Sequence, residues 1–150
     1  MNLPEADLEQ RFRTLLIVCG AIALSLLMVN VVIAILHVSG SLPPGELSRD
    51  VTLAIVVVSL LLLVGAPAAK QAVFKRAGAE EGFERDAEQR LRAYARGMIV
   101  SFAVREAGGL IGFVLALLTG NPWWSWGLGG AALLAMYVDR PRREHLGALP

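Results

Sequence analysis

Four long apolar stretches separated by polar segments dominate the hydrophobicity pattern of this chain. They cover about residues 14–38, 51–69, 97–119 and 122–138. At about 1.5 Å of rise per residue, the third stretch is about 34 Å long, which is enough to cross a hydrocarbon core of about 30 Å. The pattern therefore predicts an all-α, polytopic membrane protein, with four transmembrane helices in a single membrane domain.

The composition agrees with this class and excludes several others. Of the 150 residues, 55% are hydrophobic and 18% are charged, which is too apolar for a water-soluble surface. A net charge of +1 gives no reason to expect nucleic acid. Cys19 is the single cysteine and the two histidines are far apart, so no metal site, disulfide or cofactor is expected. The chain also lacks His-Glu-x-x-His, Gly-x-Ser-x-Gly and phosphate-binding glycine motifs, and we expect no enzymatic activity.

The distribution of basic residues predicts an orientation in the membrane. Twelve Lys and Arg residues lie in the amphipathic N-terminal segment 1–13, the connection 70–96 and the C-terminal tail. The turn-rich loop 39–50 has one, and the turn after the third stretch has none. By the positive-inside rule, both termini and the connection 70–96 are expected in the cytoplasm of a cell with a bacterial-type inner membrane.

The connection between the second and third stretches has charges spaced for a helix. Three pairs lie four residues apart with the acid first, namely Glu81 with Arg85, Asp86 with Arg90 and Glu88 with Arg92. An apolar stripe accompanies them, formed by Phe83, Ala87, Leu91 and Tyr94. We predict a cytoplasmic helix from about residue 80 into the third span. Its stripe either docks a soluble protein or lies on the protein's own bundle or on lipid headgroups.

The first and fourth stretches also contain candidate contact residues. Cys19, Asn30 and His37 form a weakly polar stripe that should face protein, as helix-to-helix hydrogen bonding or as a ligand or proton relay. In the fourth stretch, the expected interface anchors are Trp123, Trp124, Trp126 and Tyr137. A ladder of small residues there could admit another helix, and it consists of Gly127, Ala131 and Ala135.

Two charged residues lie inside the third stretch. Arg105 and Glu106 are adjacent, and Glu106 falls near the expected bilayer midplane, where an ionisable group is costly. Adjacent residues of a helix do not face each other, so each charge is expected to find a partner on another helix, in a second copy, in a cavity or, for Arg105, at the membrane surface. Gly108 and Gly112 predict close helix packing beside them. The pair therefore indicates either structural polar contacts or a role in transport.

The segment Leu91 to Leu118 (LRAYARGMIVSFAVREAGGLIGFVLALL) resembles the carboxylate-bearing helix of the proteolipid c subunits of rotary ATPases. The shared features are a basic entry, small residues, a central acid and an apolar exit. This resemblance implies that Glu106 takes the ion-carrying position. In architecture alone, the chain is also similar to small four-helix multidrug transporters that work as dimers around a membrane carboxylate.

Two functional hypotheses follow. The first is a non-enzymatic structural or accessory subunit of a membrane complex, whose partners are the lipid bilayer and other membrane subunits or a second copy of itself. The alternative is a proton- or cation-coupled transport component that uses Glu106.

Overall fold

All regular elements in the described part of the chain are helices. The computed structural model describes residues 5–78 and 87–141. It contains α1 (Glu5–Val38), α2 (Arg49–Gly78), α3 (Ala87–Thr119), a π-helical turn (Ser125–Gly129) and α4 (Gly130–Val138), which continues from that turn. The first three helices are long and apolar enough to span a membrane, whereas the apolar segment Ser125–Val138 is shorter. The predicted all-α architecture of four helices is confirmed, and its apolar helices indicate a membrane protein.

The three long helices extend beyond the apolar stretches that predicted them. The first helix is continuous from Glu5, and Phe12 of the amphipathic N-terminal segment is buried in the bundle. The second helix passes through Pro67 and ends at Gly78. A proline inside a membrane helix is tolerated because neighbouring groups can satisfy the carbonyl that it leaves free. The predicted helix start near residue 80 lies outside the described residues. The predicted pairs Glu81 with Arg85 and Asp86 with Arg90 also include residues outside that part.

The third helix is the centre of the bundle. In its most apolar window, 44% of the residues are buried, against 17% for α1 and 11% for α2. A cluster of buried side chains joins α1, α3 and α4, and it contains Leu15, Cys19, Leu26, Tyr94, Met98, Phe102, Ala132 and Met136. The second helix packs closely on α3, where the hydroxyl of Ser59 donates to the carbonyl of Gly108 at 2.8 Å. The exposed apolar faces of α1 and α2 are therefore the surfaces suited to lipid.

Glycines on α3 allow three neighbours to approach it from different sides. A Cβ atom added at Gly108 would lie 3.0 Å from Leu63 of α2, and one at Gly109 would lie 2.8 Å from Leu26 of α1. A Cβ atom at Gly112 would lie 2.6 Å from the carbonyl oxygen of Trp124. Gly108 and Gly112, which the sequence predicts as one contact motif, thus serve two different helices.

The loop between α1 and α2 folds over the end of α3. Gly120 has a φ of +67°, and a Cβ atom there would come within 2.6 Å of the carbonyl oxygen of Pro43. At Gly45 an added Cβ atom would overlap the carbonyl oxygen of Leu118. Because both contacts are with backbone, side chains cannot relieve them. We call this side of the bundle the loop end, and the side with the N-terminal part of α3 the charged end.

The glycine contact gives a first prediction. We expect Gly112→Leu to lower the thermal unfolding midpoint in detergent, because the side chain meets backbone and a Cβ atom. Overpacking of this kind costs about 1 to 3 kcal/mol. Gly20→Leu is the matched control, since an added Cβ atom at Gly20 has nothing within 4 Å among the described residues. Equal midpoints for the two variants would contradict the packing described here.

Candidate functional site

The two adjacent charges of α3 have partners on different helices. Nη1 of Arg105 donates to Oδ2 of Asp139 at 2.9 Å, and the Arg105 side chain is only 6% exposed. The carboxylate of Glu106 accepts a hydrogen bond from the hydroxyl of Ser25 on α1. This arrangement agrees with helix geometry, which directs neighbouring side chains to different sides.

Asp139 is the shared acceptor of an ion cluster that consists of Lys70, Ser101, Arg105 and Asp139. Nζ of Lys70 lies 3.3 Å from Oδ1 of Asp139, and the hydroxyl of Ser101 donates to Oδ2 at 3.5 Å. Two cations therefore share one carboxylate, and the cluster has a net charge of +1. Lys70 is on α2, Arg105 is on α3 and Asp139 follows directly after α4. The shared carboxylate therefore connects these three helices.

The hairpin between α3 and α4 places the two main members of the cluster at one depth. Arg105 and Asp139 each lie 17 residues from Pro122, which begins the fourth helical segment. In two antiparallel helices, positions equally far from the turn lie side by side. The hydrophobicity pattern did not identify Asp139 as the partner of Arg105, and this equal spacing is the signal that could have done so.

Lys70 also has a role that the sequence pattern did not indicate. Its ammonium lies 5.6 Å from the centroid of the Tyr94 ring, in addition to its ion pair with Asp139. Its stem passes Gly97, where an added Cβ atom would lie 3.4 Å from Cγ of Lys70. Lys70 thus turns into the bundle, and its cation–π contact and ion pair compensate for its partial desolvation.

An open groove of about 900 Å³ lies beside the ion cluster, between α2 and α4. Its polar lining includes Lys70, Lys75, Arg105 and Asp139, so three cations face it with one carboxylate. Nε of Arg105 is buried and has no hydrogen-bond partner among the described residues. Ala131, Leu134 and Ala135 form an apolar wall. The arrangement is suited to an anionic group attached to an apolar chain.

The predicted ladder of small residues lies on the outer side of the fourth helical segment. Ala131 and Ala135 line the groove, and an added Cβ atom at Gly127 has no atom within 4 Å in the described part of the chain. No described helix of this chain fills the space in front of them. Their predicted role in admitting another helix stays a prediction.

The polar stripe of α1 faces protein. Cys19 is buried in the core cluster, Oδ1 of Asn30 accepts from the hydroxyl of Ser125 at 3.0 Å, and His37 makes an edge contact with Trp126 at 5.8 Å. Gly129 leaves room for Asn30, because a Cβ atom there would lie 2.5 Å from Nδ2 of Asn30. These contacts correspond to the interpretation of the stripe as helix-to-helix hydrogen bonding.

The aromatic residues of the fourth segment lie towards its two ends. Trp123 and Tyr137 are 70% and 63% exposed, whereas Trp124 and Trp126 are partly buried. Trp123 and Trp126 stack edge to face at 5.2 Å, and the guanidinium of Arg140 lies 5.0 Å from the Tyr137 ring. Their proposed position at the membrane interfaces stays a prediction.

The charged end contains a cleft of about 390 Å³ between α2 and α3, which we call the basic cleft. Its charged lining consists of Arg76, Arg92 and Arg96. Arg92 also bonds to Glu88, which pairs with Arg11 of α1 at 2.9 Å. No acidic side chain lines the cleft in the described part of the chain.

Two residues of the predicted apolar stripe, Leu91 and Tyr94, pack within the bundle. Leu91 and Tyr94 are 4% and 2% exposed, and Phe74 of α2 contacts Tyr94 with a centroid distance of 6.3 Å. The side chains of Phe83 and Ala87 lie outside the described part. Of the two interpretations of this stripe, packing on the protein's own bundle holds for Leu91 and Tyr94.

Among the described residues, no group of three or more His, Cys, Asp and Glu side chains could hold a metal ion. Comparison with protein-family models, with curated proteins and with solved structures found no match.

The ion cluster gives a second prediction. Asp139→Asn leaves two cations without their carboxylate, whereas Arg105→Gln leaves the ion pair between Lys70 and Asp139 intact. Removing one partner of a buried ion pair costs about 3 to 5 kcal/mol, so we expect both variants to unfold at lower temperature and Asp139→Asn to be the worse. The combined variant should recover most of the loss, since Lys70 can then extend to the membrane surface.

Thermal unfolding in detergent of the two single variants and the double variant measures this coupling. Additive losses in the double variant would show that Arg105 and Asp139 do not stabilise each other.

Proposed function

We propose that this protein is a non-enzymatic accessory subunit of a complex in a bacterial-type inner membrane. In this proposal, four helices cross the membrane, both termini are cytoplasmic, and the basic cleft binds an acidic segment of another subunit. The observation that carries the proposal is the set of three arginines in one cleft without an acidic lining residue among those described.

The orientation rests on the asymmetry of twelve basic residues against one. It assigns the charged end to the cytoplasm and the loop end to the periplasm. The fourth helical segment is short for a span, and a bilayer can accommodate such a segment by local thinning. Asp139 would then lie below the cytoplasmic surface, at the depth of Arg105.

Topology reporters test this orientation. Fusions at Gly45 and after Pro122 should be active only with a periplasmic reporter, and a fusion at Arg85 only with a cytoplasmic one. A cytoplasmic signal at Gly45 would overturn the orientation and move the basic cleft to the wrong side for a cytoplasmic partner.

The charge of the basic cleft favours an acidic partner over an apolar one. Leu91 and Tyr94 of the apolar stripe are already buried by contacts within the bundle, so the exposed recognition groups are arginines, among them Arg76 and Arg96. Arginine side chains can bind carboxylates with two parallel hydrogen bonds, which gives such a contact geometric specificity. A partner contact of this kind should weaken with salt.

A second candidate function is proton- or cation-coupled transport through Glu106. The hydrogen bond between the Ser25 hydroxyl on α1 and the Glu106 carboxylate on α3 favours this function. Both groups provide oxygen ligands suited to a small cation. The resemblance of residues 91–118 to the proteolipid c subunits supports the same candidate. In this function Arg105 is not the counter-ion of Glu106, because it pairs with Asp139.

Purification in mild detergent distinguishes the two functions. We expect the wild-type protein to elute with a second polypeptide in a fixed ratio, and the double variant Arg76→Glu with Arg96→Glu to lose it. Arg49→Glu is the matched control, because it reverses an exposed charge at the other end of α2.

A homo-oligomer without another polypeptide would contradict the first proposal, and so would retention of the partner by the double variant. If that homo-oligomer conducts protons or sodium in liposomes and Glu106→Gln abolishes the flux, the second candidate is supported instead.

A further inference from the structure

We propose that the groove between α2 and α4 binds one anionic phospholipid of the phosphatidylglycerol type. Lys70 and Lys75 would hold the phosphate, Nε of Arg105 would donate to an ester carbonyl, and an acyl chain would lie along Ala131 and Leu134. This inference concerns a different surface from the basic cleft and goes beyond the proposed function.

The charge of the groove favours an anion. Lys70, Lys75 and Arg105 line it together with one acid, Asp139, so the lining has an excess of two positive charges. Lys70 has three N–H donors and uses one in its ion pair with Asp139, so others remain for a ligand. Basic pockets between membrane helices are sites for anionic lipid headgroups.

The ion pair with Asp139 does not account for all of the hydrogen-bond donors of Arg105. Arg105 is 5% exposed, its Nη1 bonds to Asp139, and its buried Nε has no acceptor among the described residues. A buried N–H group without an acceptor is destabilising, and a bound carbonyl oxygen would satisfy it. A ligand oxygen that accepts a hydrogen bond from Nε of Arg105 therefore stabilises the folded protein.

The order of groups along the groove matches the order of groups in a phospholipid. Lys75 lies five residues from Lys70 along α2 towards the charged end, about 7 Å of helix rise. The lysines thus occupy the outer part of the groove, where a phosphate lies. Arg105 lies deeper, and the apolar wall that contains Ala131 and Leu134 continues from it. A free phosphate ion would use the charges but leave this wall uncovered.

The exposed apolar wall of the groove also favours a ligand that has an acyl chain. Ala131 and Leu134 are exposed although they face the groove, and Leu134 is 65% exposed. A second protein helix in the groove would need an acidic side chain at the depth of Lys70 and Lys75 to balance their charge. A single lipid provides both an apolar chain and an anion, and the membrane supplies it at high local concentration.

The test is a lipid titration of the full-length protein in detergent, followed by thermal unfolding and native mass spectrometry. Phosphatidylglycerol is compared with phosphatidylcholine of the same acyl chains, and with inorganic phosphate as the third ligand. We expect phosphatidylglycerol alone to raise the unfolding midpoint and to stay bound in the gas phase.

Two variants with matched controls locate the site. Ala131→Phe fills the groove and should abolish retention of phosphatidylglycerol, whereas Ala54→Phe, at an exposed position of α2 outside the groove, should not. Lys75→Gln should weaken binding about fivefold, the effect of one basic side chain near an anionic lipid. Arg49→Gln removes a positive charge from the opposite end of α2 and should leave binding unchanged.

Each other result overturns the proposal. Equal effects of phosphatidylglycerol and phosphatidylcholine would show that the charges do not recognise the headgroup, and an equal effect of inorganic phosphate would show a simple anion site. Dissociation of a homo-oligomer by Ala131→Phe would identify a second copy of the chain as the occupant. If Ala131→Phe fails to fold, the comparison of Lys75→Gln with Arg49→Gln decides, since both are exposed substitutions.

Discussion

Arg105 is buried in a long apolar helix, where its charge needs a counter-charge and hydrogen-bond acceptors within reach, and this requirement organises the bundle. The acceptor is Asp139, which the hairpin after α3 brings to the same depth. Asp139 also forms an ion pair with Lys70 of α2, and α2 packs closely on α3. One carboxylate thus connects three helices, and its loss would leave two cations in a poorly hydrated place.

Small residues determine how closely the helices can approach these charges. On α3, Gly108, Gly109 and Gly112 admit backbone or branched side chains of three neighbours, so α3 can be the central helix. On α4, the small residues have the opposite effect, because Ala131 and Ala135 face the open groove. Small residues therefore close the interfaces of α3 and leave one side of α4 open.

Three sets of charged groups in the described part of the chain have separate consequences. The ion cluster pairs one carboxylate with two cations and stabilises the bundle, and its remaining positive charge faces the groove. The arginines of the basic cleft lie beyond the core at the charged end and suit an acidic protein segment. Glu106 bonds to Ser25 on a separate side of α3, so a change at Glu106 can be studied without disturbing Arg105. This separation makes the proposals for structure, partner binding and transport independently testable.

The sequence by itself determined the four helices, because apolar length and helical periodicity are local properties of the chain. It also determined that Arg105 and Glu106 do not neutralise each other, since adjacent helical positions point in different directions. Only the tertiary structure decided that Asp139 pairs with both Arg105 and Lys70, that Gly108 and Gly112 serve different helices, and that Ala131 faces a groove. These outcomes depend on the relative depth and rotation of whole helices. Depth and rotation are set by packing between residues far apart in the chain, which no local pattern records.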